Sequence, residues 1–243
     1  MSYGQMLDRF SKKEPPQRLR PAWKGREVLI VFGCVILCNF LLALLAPLVK
    51  RAVGYYALAY FLQAAVFGLL PFAIACEFYK QPPAVLGMQR NMRVLSLVFT
   101  GAAYGAALFA ITIAVQSLQL VLLGMSPIEQ EMLIMLGSAA SSFERVLMVC
   151  CLVFIAPIGE EIFFRGFLFT LLEENNSQML AVLYSALIFG ILHGNMQVLL
   201  PSLAAGIALA LIYARHRNIW CNIIAHMTWN FISVGIYLNA LTA

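Results

Sequence analysis

Three ionisable groups stand where nearly everything else in this chain is apolar. They are Glu160, Glu161 and Arg165, within "APIGEEIFFRG" (Ala156–Gly166). Val146–Gly159 carries no charge, and the segment runs on into "FLFTLL". Glu161 and Arg165 are spaced i,i+4, so on a helix they share one face a turn apart and can neutralise each other. Glu160 points about 100° around from Glu161, out of easy reach of Arg165. A carboxylate without a local partner in such surroundings is suited to general acid or base work.

Two of the three histidines lie in later apolar runs. His193 ends "LIFGILHGN", and His226 sits in "NIIAHMTWNF" with Asn230 one helical turn further on. The third, His216 in the basic connector "ARHRN", reads as a solvated loop residue. A lone histidine in an apolar helix more often bonds a neighbouring helix than reacts, and an EExxxR turn alone could simply tie helices together. Two histidines, an asparagine and an unpaired glutamate on three apolar segments are harder to dismiss. Brought together, they supply a base, a proton carrier and hydrogen-bond donors for a developing oxyanion. Those are the parts needed for hydrolysis by an activated water.

The elements that position these groups must be membrane helices. Of the 243 residues, 62% are hydrophobic and 11% charged, with mean hydropathy +0.86; a soluble domain carries about 25% charged residues. Lipid is therefore the solvent around most of the chain. Three uncompensated charges at mid-bilayer would cost roughly 8–10 kcal/mol, comparable with a domain's whole stability. They must be paired, neutralised or turned towards a wet cavity.

The expected fold class is all-α: a polytopic transmembrane bundle of seven to eight spans plus a short interfacial amphipathic helix. Residues 1–27 form a basic, proline-broken cytoplasmic leader, and 28–243 form the membrane domain, with its motif-bearing core at 146–231. Val28–Val49 is too long for the core of a cleaved signal peptide, which is about 7–15 residues, and reads as a retained span. Further spans fall at about Ala52–Cys76, within Val94–Gly124, and at Val146–Leu172, Met179–His193, Val198–Ala214 and Ile219–Leu241. The long third region is the expected place for an eighth. Ser126, Pro127 and Glu129 fit an N-cap, a first-turn proline and a capping-box glutamate, which start the interfacial helix.

Seven of the sixteen basic residues precede residue 27, where they face anionic headgroups. With the N-terminus cytoplasmic, Lys80, Arg90, Arg93, Arg215 and Arg217 also fall inside, while Lys50, Arg51 and Arg145 fall outside. The formal charge of +5 thus marks a membrane surface, and no nucleic-acid partner is expected. Six cysteines without a CxxC pair read as inert thiols in apolar segments.

Glu160-Glu161-x-x-x-Arg165, Phe189-x-x-x-His193 and His226-x-x-x-Asn230 resemble, in order and spacing, the three motifs of the CPBP intramembrane proteases. That family includes the type II CAAX prenyl endopeptidases and the bacterial Abi proteins, some linked to bacteriocin immunity. The resemblance covers about Val146–Phe231. It implies that Glu160 and His193 polarise the attacking water and that His226 and Asn230 stabilise the tetrahedral oxyanion. It further implies that Glu161 and Arg165 brace the site and that Phe189 shapes the pocket.

No cofactor is expected. The zinc signature HExxH is absent, although Glu160, His193 and His226 are the three residues that would hold a catalytic zinc. The expected activity is an intramembrane endopeptidase acting on a membrane-associated peptide or protein. Serine and aspartyl intramembrane types are disfavoured, since no GxSxG occurs and Asp8 is the only aspartate. The competing readings are a non-catalytic immunity or scaffold protein with the same fold and a proton-coupled transporter. The latter would be favoured by repeats or paired broken helices, and neither is evident. A bacterial inner membrane is the expected location, ahead of the endoplasmic reticulum.

Overall fold

The computed structural model describes residues 19–49, 53–89, 92–124, 136, 141–194 and 196–242. The leader up to residue 18, Lys50, Arg51, Arg90 and the interfacial helix expected from Ser126, Pro127 and Glu129 lie outside the described residues. The helices are α1 (Gly25–Val49), α2 (Val53–Phe72, prolonged by a π-helical stretch, Ala73–Phe78) and α3 (Val94–Leu123). They continue with α4 (Ser142–Asn175), α5 (Gln178–Leu192), α6 (Met196–His216) and α7 (Ile219–Thr242). A 3₁₀ turn, Pro83–Leu86, links α2 to α3. Among the described residues helices are the only regular secondary structure.

Six of these helices are long and apolar enough to cross a membrane, and the protein is an integral, multi-pass membrane protein. Helices suit this setting because lipid offers the backbone no hydrogen bonds, so every N–H and C=O must be satisfied within the segment. The faces left outside the bundle are apolar, as at Leu29, Ile36, Leu44, Phe99 and Val121. α5 is the exception in length: its 15 residues extend only about 22 Å. α3, by contrast, is one unbroken helix of 30 residues, so the third region contains a single span.

α4 carries the charged turn, and it alternates between α and π winding. Cys151–Ile155 and Ile162–Phe169 are π-helical. Side chains bond three carbonyls of the second π stretch. Thr170 Oγ1 donates to the Arg165 carbonyl, Ser185 Oγ on α5 to Phe164, and Trp23 Nε1 to Phe167. Trp23, just ahead of α1, also stacks on Phe167 with ring centroids 4.6 Å apart. Phe163, Phe164 and Phe67 continue this aromatic core.

Two glycines set how closely the working helices approach. A Cβ on Gly159 would fall on the Ala64 carbonyl of α2, and one on Gly105 of α3 would meet the Ala225 carbonyl of α7 at 2.5 Å. Each lies next to a candidate site residue, in sequence (Gly159 beside Glu160) or across the contact (Ala225 beside His226). Small residues permit such backbone-to-backbone packing in lipid, where no hydrophobic force draws helices together.

Candidate active site

Glu161 is fully buried and lies at the centre of a polar knot. Its Oε1 accepts from Arg165 Nη1 at 2.9 Å and from His226 Nδ1 at 2.9 Å, and its Oε2 accepts from Asn222 Nδ2 at 3.3 Å. The i,i+4 pairing expected from spacing is therefore present. Arg165 also donates through Nη2 to the Gly206 carbonyl of α6 at 3.3 Å, and its guanidinium lies 4.7 Å from the centre of the Phe189 ring. Asn222 Nδ2 makes a second bond, to the Leu209 carbonyl at 2.7 Å. The knot thus joins α4, α6 and α7. Arg165 Nε and Asn222 Oδ1 are its two atoms without a hydrogen-bond partner.

One residue earlier, Glu160 has the opposite setting. Its side chain is 19% exposed where that of Glu161 is 0%, because the turn of about 100° per residue aims it away from the knot. It opens into a cavity of about 380 Å³ that His193, His226 and Asn230 also line. The carboxylate stands 3.8 Å from His226 Nε2, just beyond a hydrogen bond. All four residues expected to be catalytic therefore meet at one cavity.

Each partner is held in a defined orientation. His193 caps the C-terminus of α5, and its Nδ1 is 2.7 Å from the Phe189 carbonyl. A carbonyl only accepts, so Nδ1 carries the proton and Nε2 is left for the cavity. The same reasoning fixes His226: Nδ1–H donates to the Glu161 carboxylate, and the Nε2 edge is the one that faces Glu160. Nε2 can donate to an oxyanion only in the doubly protonated ring. Asn230 Nδ2 donates to the Leu152 carbonyl at 2.9 Å. That carbonyl is available because its π-register partner would be Pro157, which has no N–H. One amide hydrogen of Asn230 and its Oδ1 remain.

Phe189 does not line the cavity. It is fully buried beside it, with its ring against Arg165 and its carbonyl holding His193. His216 is not a free loop side chain: it ends α6 and lies 3.0 Å from the Tyr104 hydroxyl. Three supporting residues escaped the sequence reading. Asn222 lies one turn before His226, so the stripe Asn222, His226, Asn230 was visible as an i,i+4,i+8 pattern. Trp229 stacks on His226 at 5.3 Å and donates to Thr112 Oγ1 on α3. Neither Trp229 nor Thr112 had a signal in spacing alone.

Among the described residues no three His, Cys, Asp or Glu side chains gather closely enough to hold a metal.

Comparison with known proteins points the same way as the geometry. Residues 142–232 match the family model described as type II CAAX prenyl endopeptidase Rce1-like. The chain is also 39% identical over 92 residues to a Bacillus subtilis (strain 168) protein named "Putative membrane peptidase YdiL"; the aligned part is 38% of each chain. No solved structure matches. The matched segment, 142–232, begins with α4 and includes the knot and all four cavity residues, and it is this segment that is similar to the Rce1-like endopeptidases.

Proposed function

We propose that this protein is an intramembrane endopeptidase that hydrolyses a peptide bond of a membrane-associated polypeptide with a water activated by Glu160 and His193. The observation that carries this reading is the separation of the two adjacent glutamates. Glu161 is sealed in an ion pair, while Glu160 faces a cavity shared with two histidines of fixed orientation and an anchored asparagine. The Rce1-like match and the name of the Bacillus relative support it.

The steps use this chain's own groups. Water between Glu160 and His193 Nε2 gives a proton to Glu160 as its oxygen bonds to the scissile carbonyl carbon. The carbonyl oxygen becomes an oxyanion, accepting from the free amide hydrogen of Asn230 and from doubly protonated His226 at Nε2. Collapse breaks the C–N bond, and the proton on Glu160 passes to the leaving nitrogen, giving a carboxylic acid and an amine. No step runs through a metal. A bacterial inner membrane is the proposed location.

The test compares new protein termini in the source organism's cells making wild-type protein or Glu160→Gln at matched levels. Termini present only with wild type support proteolysis and identify the substrate. Equal termini, with both proteins folded, would overturn the reading in favour of a non-catalytic immunity or scaffold role.

A further inference from the structure

The cavity lies towards one end of the bundle, and the basic residues gather at the other. Contacts tie together the first end, where α1, α3, α5 and α7 begin. Arg217 pairs with Glu173 near the C-terminus of α4, Ile219 N–H donates to the Gly87 carbonyl, and Arg20 lies 3.5 Å from Glu174. Ala22 N–H donates to Gln81, and Asn218 to the Gln89 carbonyl. The cavity lies away from all of these. Its walls come from Phe109–Gln116 in the second half of α3 and from His226–Ala240, mostly the second half of α7. Tyr60 near the start of α2, Leu152 in the first half of α4 and Pro201 near the start of α6 also line it. Glu160 is fifteen residues from the end of α4, about 22 Å along the helix from the basic rim.

Twelve of the sixteen Lys and Arg residues precede α1 or fall in connections and helix ends at that first end. The connections at the opposite end, together with the start of α4, contribute only Lys50, Arg51 and Arg145. Basic residues near span ends are retained on the cytoplasmic side, so the first end is cytoplasmic.

We infer that the cavity opens on the non-cytoplasmic side, and that the substrate is a membrane-anchored polypeptide whose scissile bond is presented from the non-cytoplasmic half of the bilayer. This rests on the protease reading above and names the side from which its substrate comes. The bilayer core is about 30 Å thick, so a site roughly 22 Å from the basic rim is far from the cytoplasmic leaflet and shallow from the other. The outer walls, including Ile113, Val234, Ile236 and Tyr237, are apolar or aromatic, which suits an uncharged segment leaving the lipid. A polypeptide held at the cytoplasmic leaflet approaches the wrong end.

The experiment places a single cysteine at the mouth, Tyr237→Cys, in protein whose six native cysteines are replaced by serine or alanine. A membrane-impermeant maleimide is then applied to right-side-out and inside-out vesicles. Labelling in right-side-out vesicles and its loss in inside-out ones is expected. Labelling only in inside-out vesicles, or from neither side, overturns the inference. Should the cysteine-free protein not fold, fusions after Ala243 decide the same point with native cysteines. Alkaline phosphatase active there, with green fluorescent protein dark, is expected, and the reverse overturns it. Glu160-dependent termini should map to the non-cytoplasmic half of spans or just beyond, and termini at cytoplasmic ends would also overturn it. Absence of any Glu160-dependent terminus defeats the protease reading instead, while the labelling still decides which way the cavity faces.

Discussion

On α4 two polar regions stand back to back. On one side Glu161, Arg165 and Asn222 form a knot closed to solvent, joined to backbone carbonyls of α6. On the other, Glu160, His193 and Asn230 face open space. His226 belongs to both, with Nδ1 in the knot and Nε2 at the cavity. The regions hold similar residue types, so composition does not separate them. What differs is satisfaction. The knot's charges have their counter-charges, whereas the groups facing the cavity keep lone pairs and protons uncommitted. The knot lets the open side exist, because it neutralises the charge on the turn that carries Glu160 and holds His226 in one orientation.

If that division is right, the largest functional loss comes from the open side with no loss of fold. Glu160→Gln keeps size and polarity but removes the base, and activity should fall about 10²–10⁴-fold at unchanged folded yield. Size-exclusion profiles and thermal unfolding in detergent, measured beside turnover, check both halves. The next effect is the converse. Glu161→Ala leaves the Arg165 cation buried without its anion, and removing one member of a buried pair costs about 3–5 kcal/mol. Folded yield should fall along with activity. The double variant Glu161→Leu/Arg165→Met sharpens the comparison, since an apolar pair of similar volume often restores stability. It should recover folded protein but not turnover, because His226 Nδ1 then has no acceptor. Full turnover in that variant would show that the knot plays no part in orienting His226.

The sequence made the helices and the four cavity residues legible because lipid punishes charge so heavily. Each of Glu160, Glu161, Arg165, His193 and His226 stood out against apolar neighbours, and the i,i+4 spacing paired two of them correctly. The short reach of α5 was less visible: "QMLAVLYSALIFGIL" is apolar enough for a span, and only its end at His193 stops it part-way. The π stretches of α4 leave no pattern in residue type. Carbonyl acceptors such as those of Gly206, Leu209 and Leu152 were invisible for the same reason, since any residue supplies one. The inert character of Phe189 towards the cavity was likewise a matter of packing rather than spacing.

A smaller loss should follow from Asn230→Ala. The side chain spans the two helices by its bond to the Leu152 carbonyl and offers its second amide hydrogen to the cavity. Loss of one oxyanion donor costs about 10²–10³ in kcat, with KM less affected because the ground-state carbonyl is a weaker acceptor. Asn230→Asp keeps the shape but replaces the donor with an acceptor, and should not rescue.

The smallest effect is expected at the second Glu–Arg pair of α4, which tests whether ion pairing as such, or only the sealed pair, matters. Glu173 accepts from both Nη atoms of Arg217, like Glu161 it is buried, and the guanidinium rests near the Phe169 and Tyr213 rings. The difference is on the cation's side: the Arg217 side chain is 23% exposed, against 0% for Arg165. Arg217→Gln leaves a carboxylate that is itself buried, with Gln178, which already donates to Glu173, as a remaining partner. The cost should lie between the ~1 kcal/mol of an exposed pair and the about 3–5 kcal/mol of a fully buried one, with kcat unchanged since the site lies more than three helical turns away. A loss as large as that of Glu161→Ala would mean that the rim where α4 ends, rather than the knot, holds the helices in register.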